Sequence, residues 1–101
     1  MNPGSYSAAN NLGFALLENG RPSEAIVSFT HATLLAPKDA DAHAGMAVAF
    51  EALDKTREAD SEFQKAVQLD ARYREPDLLV KNLTWEKGVA DQLRPIAERN
   101  R

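Results

Sequence analysis

Apolar residues return along this chain at three- and four-residue steps, the spacing that gathers one face of an α-helix. Leu12 and Leu16 begin the pattern, and Ala25, Phe29 and Ala32 resume it after a polar break, ENGRPSE, at 18–24. There Gly20 can take the left-handed backbone that ends a helix, and Pro22 can open the next one because its fixed φ suits a first turn. A second stretch repeats the layout with Met46 and Phe50, then Ala59, Phe63 and Ala66. Asp54 stands where Gly20 stood, and aspartate tolerates the left-handed region better than most residues. Between the two stretches, APKDADA at 36–42 has Pro37 to stop one helix and Asp39 or Asp41 to accept the free N–H groups of the next. The pattern predicts two helical hairpins.

The two stretches are copies. A shift of 34 residues carries Leu12 onto Met46, Gly13 onto Ala47, Leu16 onto Phe50, Ala25 onto Ala59, Phe29 onto Phe63 and Ala32 onto Ala66. Polar places match as well, Arg21 with Lys55 and Glu24 with Glu58. Gly13 is costly inside a helix, by about 0.5–1 kcal/mol relative to alanine, so a neighbour that needs the missing side chain must compensate. Small residues at Gly13 and Ala25, and again at Ala47 and Ala59, would let paired helices approach while Phe29 and Phe63 fill the space between repeats. Ser28 is expected on the exposed side of the second helix. A further shift of 34 fails, since Phe50 meets Thr84, Ala47 meets Lys81 and Phe63 meets Ala97. The remaining segment is nonetheless amphipathic, with Leu78, Leu79, Leu83 and Trp85 followed by Val89, Leu93, Ile96 and Ala97. It predicts a helix from Glu75 to Asn82 and another from Thr84 to Arg99, with Thr84 as N-cap and Pro95 kinking or splitting the last. An atypical terminal element of this kind covers the apolar face of a stacked array. Met1 to Ser5 are given no role.

This arrangement resembles the tetratricopeptide repeat family, whose spacing is met by Ala9, Leu12, Gly13, Leu16, Ala25, Phe29 and Pro37 in the first copy. The second answers with His43, Met46, Ala47, Phe50, Ala59, Phe63 and Ala71; Ala9 and His43 replace the usual leading tryptophan, and Ala71 the closing proline. The resemblance implies an all-α, right-handed α-solenoid of two helix-turn-helix repeats, 5–38 and 39–73, with 74–101 as a capping helix or kinked pair, all in one domain. It also implies that the first helix of each repeat lines a concave groove. The places facing it would be Asn10, Asn11, Phe14, Leu17 and Glu18, then Asp41, Ala44, Gly45, Val48, Glu51 and Ala52. Of these, Asn10, Asn11, Phe14, Leu17, Val48 and Glu51 are the expected peptide-binding residues, with Asn11 at the place where relatives hold a ligand's backbone amide. Gly45 at the matching place rules out an asparagine ladder, and Asp41 and Glu51 would repel the C-terminal carboxylate that some relatives clamp.

Composition narrows the function further. One hundred and one residues fit one domain, and 12 basic against 15 acidic side chains give a net charge of -3, which argues against a nucleic-acid partner. There is no cysteine, and only two histidines, His31 and His43, without an HExxH or other ligand motif, so no metal or cofactor is expected. His43 is expected packed and His31 on the surface. Glu24 and Glu58 sit in first turns, where a carboxylate favours the helix dipole. No phosphate loop and no organised nucleophile appears, so an enzyme is disfavoured. No run approaches the roughly 20 apolar residues that span a bilayer, and the start lacks the order of a signal peptide; the compartment stays open, with the cytoplasm favoured. The expected function is a non-catalytic protein-interaction module binding a peptide or helix. The alternative is a self-assembly element, a homodimer formed through exposed apolar repeat faces. Phe14, Leu17, Val48 and Ala52 make the groove apolar, so it takes a partner or is closed by a second copy or by the Trp85 segment folding back. Trp85 itself reads as a core anchor of the cap or as a partner-binding aromatic.

Overall fold

A computed structural model describes residues 5–82, 85 and 87–101. Four helices of similar length come first: α1 (Tyr6–Glu18), α2 (Pro22–Leu35), α3 (Ala40–Ala52) and α4 (Thr56–Leu69). A 3-10 turn, Ala71–Arg74, leads to α5 (Pro76–Asn82) and α6 (Lys87–Arg99). Among the described residues there is no strand. The expected N-cap Thr84, the apolar Leu83 and the start Met1 to Gly4 lie outside the described residues.

Local chemistry sets the boundaries. Ser5 caps α1, its Oγ accepting from the Ala8 N–H at 3.2 Å, and the Asp39 side chain caps α3 by accepting from the Asp41 N–H at 3.1 Å. Gly20 and Asp54 both adopt the left-handed region, with φ of 70° and 60°. The two hairpins therefore turn by the same device, and Asp54 bears the strain that glycine avoids.

Packing follows the repeat. The Phe29 ring is fully buried, and a Cβ built on Gly13 would lie 2.6 Å from its Cε1 atom. A Cβ on Gly45 would intrude on the same ring from the next repeat. Phe29 is thus clamped between two bare helix backbones, which answers why α1 tolerates Gly13. Gly45 consequently belongs to the inter-repeat core and not to the groove expected of it. Phe63, at the equivalent place in the second repeat, is 2% exposed. Each such aromatic burial contributes about 1.5–3 kcal/mol.

Three expectations need correction. Ser28 is buried, and its Oγ donates to the Ala9 carbonyl at 2.6 Å, because its place on α2 faces the α1 backbone where Ala9 presents no bulk. Leu12 is 55% exposed although its repeat counterpart Met46 is 6% exposed; α2 lies over that face of α3, with Thr30 Oγ1 donating to Met46 Sδ. Pro95 does not split the last helix, which runs through it. The proline sits on the exposed side, where water can solvate the carbonyl that loses its N–H partner.

Helix α6 begins at Lys87 and packs across α3, with lesser contacts to α1 and α4. Leu79, Leu93 and Ile96 are fully buried beneath the cap. Its far end is tied down by Arg99, which donates to Glu51 at 2.9 and 3.0 Å and to Asp60 at 2.6 and 2.9 Å. Helix α6 thus lies mainly against the first helix of the second repeat, with only lesser contact to α4, the helix on which a further repeat would stack.

Candidate functional site

The face where the groove is expected is partly filled by the chain itself. Phe14 meets Trp85 edge-on at a centroid distance of 4.9 Å, and meets Phe29 at the same distance. Trp85 also stacks edge-on against Tyr73 at 5.8 Å. Its indole Nε1 donates to Asp41 Oδ1 at 3.0 Å, and the Tyr73 hydroxyl donates to the same oxygen. Burial and the neighbouring Asp41 carboxylate push the Tyr73 phenol well above its ordinary range, so it stays a donor. Trp85, 7% exposed, packs against this face as a core anchor of the cap.

Two clefts remain, each with one wall from the α6 segment. The first, about 460 Å³, is lined by Asn10, Asn11 and Phe14 together with Asp39, Asp41 and Trp85. The second, about 340 Å³, is lined by Leu17, Val48 and Glu51 with Ala52, Gln92 and Pro95. The six expected residues are therefore divided three and three. They also differ in availability. Asn11 is exposed and Phe14 half-buried, whereas Leu17 and Val48, 1% exposed, are core side chains. Glu51 is committed to Arg99.

Asn10 is buried at the floor of the first cleft. Its Nδ2 donates to Asp39 Oδ2, and its Oδ1 has no hydrogen-bond partner among the described residues. Sequence reasoning assigned Asp39 only to the cap of α3; its place in the cleft depends on α1 and α3 meeting side by side, and a repeat period carries no such signal. Gln92 and Pro95 were likewise invisible, because they enter through the packing of α6.

His43 is half-buried and its Nδ1 lies 2.7 Å from Glu62 Oε2, so it packs as a paired histidine, while His31 is exposed. Among the described residues, no three histidine, cysteine or acidic side chains converge as a metal-ligand group. Among the same residues, no helix is long and apolar enough to cross a membrane.

The profile of the tetratricopeptide repeat family matches residues 6–39 and 40–73, and the chain belongs to that family: an all-α, right-handed solenoid of two repeats with a helical cap. Such repeats are generally protein–protein interaction modules. The chain is 38% identical over 61 residues to type IV pilus assembly protein PilF of Pseudomonas aeruginosa, a match covering 60% of this chain and 24% of that protein. A solved structure of Pseudomonas aeruginosa PilF superposes with a TM-score of 0.65 at 28% identity, covering 94% of this chain and 44% of that one. The chain spans less than half the length of either.

Proposed function

We propose that this chain is a non-catalytic interaction module that binds an extended segment or helix of a protein partner in the first cleft, between α1 and the α6 segment. The observation that carries the reading is the open, mainly polar cleft in which the exposed amide of Asn11 lines the same wall as Phe14, a pairing that can hold a backbone amide and an apolar side chain together. The likeness to PilF makes components of type IV pilus assembly the first partners to test. A photo-crosslinking residue at position 11 should capture one protein, and one placed at exposed His31 should not. Purified, that protein should bind wild type more tightly than the Asn11→Ala, Phe14→Ala double variant. Equal capture at both positions, or equal affinity for both proteins, would move the binding surface elsewhere.

A second reading, self-assembly, is favoured by one observation. Leu12 is exposed at the place where α2 covers its counterpart Met46, so that face of α1 is shaped to receive a helix. A second copy could supply it. Light scattering should then show a dimer forming with concentration and abolished by Leu12→Glu; a strict monomer at every concentration excludes it.

A further inference from the structure

Among the described residues, the first cleft is lined by three carboxylates, Glu18, Asp39 and Asp41, and by no lysine, arginine or histidine. None of the three takes part in an ion pair among the described residues. The groups that do donate to Asp39 and Asp41 are all neutral: the Asn10 amide, a backbone N–H, the Tyr73 phenol and the Trp85 indole. The negative charge is therefore hydrogen-bonded but without a direct ion pair among the described residues; the cations Lys38 and Arg72 line a neighbouring cleft that Asp39 and Asp41 share. An independent observation points the same way. Asn10, 7% exposed, commits its nitrogen to Asp39, which fixes the amide's orientation and leaves a buried oxygen that no group among the described residues satisfies. A buried acceptor of this kind calls for a donor from outside the chain.

The shape of the site selects the class of donor. The carboxylates form no metal-ligand group among the described residues, and three aromatic side chains, Tyr6, Phe14 and Trp85, line the cleft with them. Carboxylates beside aromatic rings suit an organic cation on an apolar stem, whose charge is attracted to ring faces while its methylenes cover them. We infer that this cleft seats a basic side chain, an arginine or lysine, of the bound partner segment, with Asp39, Asp41 and the Asn10 oxygen accepting its N–H groups. The inference rests on the groove reading above. It adds a chemical requirement that the groove reading lacks, because the partner must present a cation at this point.

The test uses the whole chain and N-acetyl-arginine methylamide as probe, with the citrulline analogue as its uncharged match. Trp85 is the only tryptophan, so its indole N–H gives a single resolved amide-region signal in NMR spectra. The arginine probe should shift that signal and the Asn10 side-chain amide at millimolar concentration, and citrulline should leave both in place. Asp39→Asn and Asp41→Asn keep the cap and the oxygen that Trp85 and Tyr73 require, and each should weaken arginine binding by about tenfold, the scale of one charged hydrogen bond. Equal shifts from citrulline, arginine shifts that avoid Trp85, or unchanged affinity in both folded variants would each overturn the inference. The citrulline comparison on wild type decides the matter even where a variant fails to fold. A protein that captures its partner through position 11 yet ignores arginine would refute this inference alone, whereas arginine binding without partner capture would refute the groove reading and leave the cation seat standing.

Discussion

Adding one methyl group to Gly45 should destabilise the protein, and adding the same group to Gly88 should stabilise it. Both glycines are helical, in α3 and α6, so each alanine gains about 0.5–1 kcal/mol of helix propensity. Their surroundings decide the difference. At Gly88 a new Cβ meets nothing within 4 Å, whereas at Gly45 it would lie 2.6 Å from Phe29 Cε1. The ring cannot retreat easily, since Gly13 presses from the other side and Phe14 abuts it at 4.9 Å. Overpacking of this kind costs about 1–3 kcal/mol, so Gly45→Ala should be worse than wild type by on the order of 1 kcal/mol. For a domain of this size that lowers the melting temperature by about 4–8 °C, and Gly88→Ala should raise it by a few degrees. Circular dichroism at the helical band, followed through thermal unfolding, measures both. Phe29→Leu should shrink the penalty of Gly45→Ala in a double-mutant cycle, because the shorter side chain vacates the volume the methyl needs. A Gly45→Ala protein that melts at or above wild type would refute the claim that bare backbone is what admits the ring.

Two further outcomes follow from named hydrogen bonds. Ser28→Ala removes a buried donor to the Ala9 carbonyl and should cost about 1 kcal/mol in urea unfolding, which a surface serine would not. Arg99 holds the Asp60 carboxyl below its usual range, so Asp60 contributes stability above about pH 4 and loses it as the pH falls through its lower folded value. Arg99→Gln should accordingly flatten the drop in melting temperature between neutral and strongly acidic pH; an unchanged drop would show that the clamp carries no stability.

What could be read from the sequence is what the repeat itself encodes. A 34-residue period fixes which positions are equivalent, and Phe29 with Gly13 are equivalent to Phe63 with Ala47, so hairpins, turns and the aromatic anchors were all legible. The period fails where equivalence fails. Leu12 and Met46 match in sequence, yet only Met46 has a helix laid over it, and exposure depends on the neighbour. Ser28 misled for a related reason: a small polar side chain suits water and suits a backbone carbonyl equally well, and only the position of α1 distinguishes them. The cleft was half legible. Asn10, Asn11 and Phe14 lie in it together, but Asp39 and Trp85 enter from elements whose approach no local pattern records.

The cap therefore does more than end the array. Helix α6 is held across α3 by its buried Leu93 and Ile96 and by the Arg99 clamp to Glu51 and Asp60. Ahead of α6, Trp85 is set down against Phe14 and Asp41. The element that stabilises the second repeat is thus the one that divides the concave surface and forms a wall of each cleft. A ligand seated in the first cleft must, by linkage, stabilise the cap in proportion to its affinity for the closed arrangement.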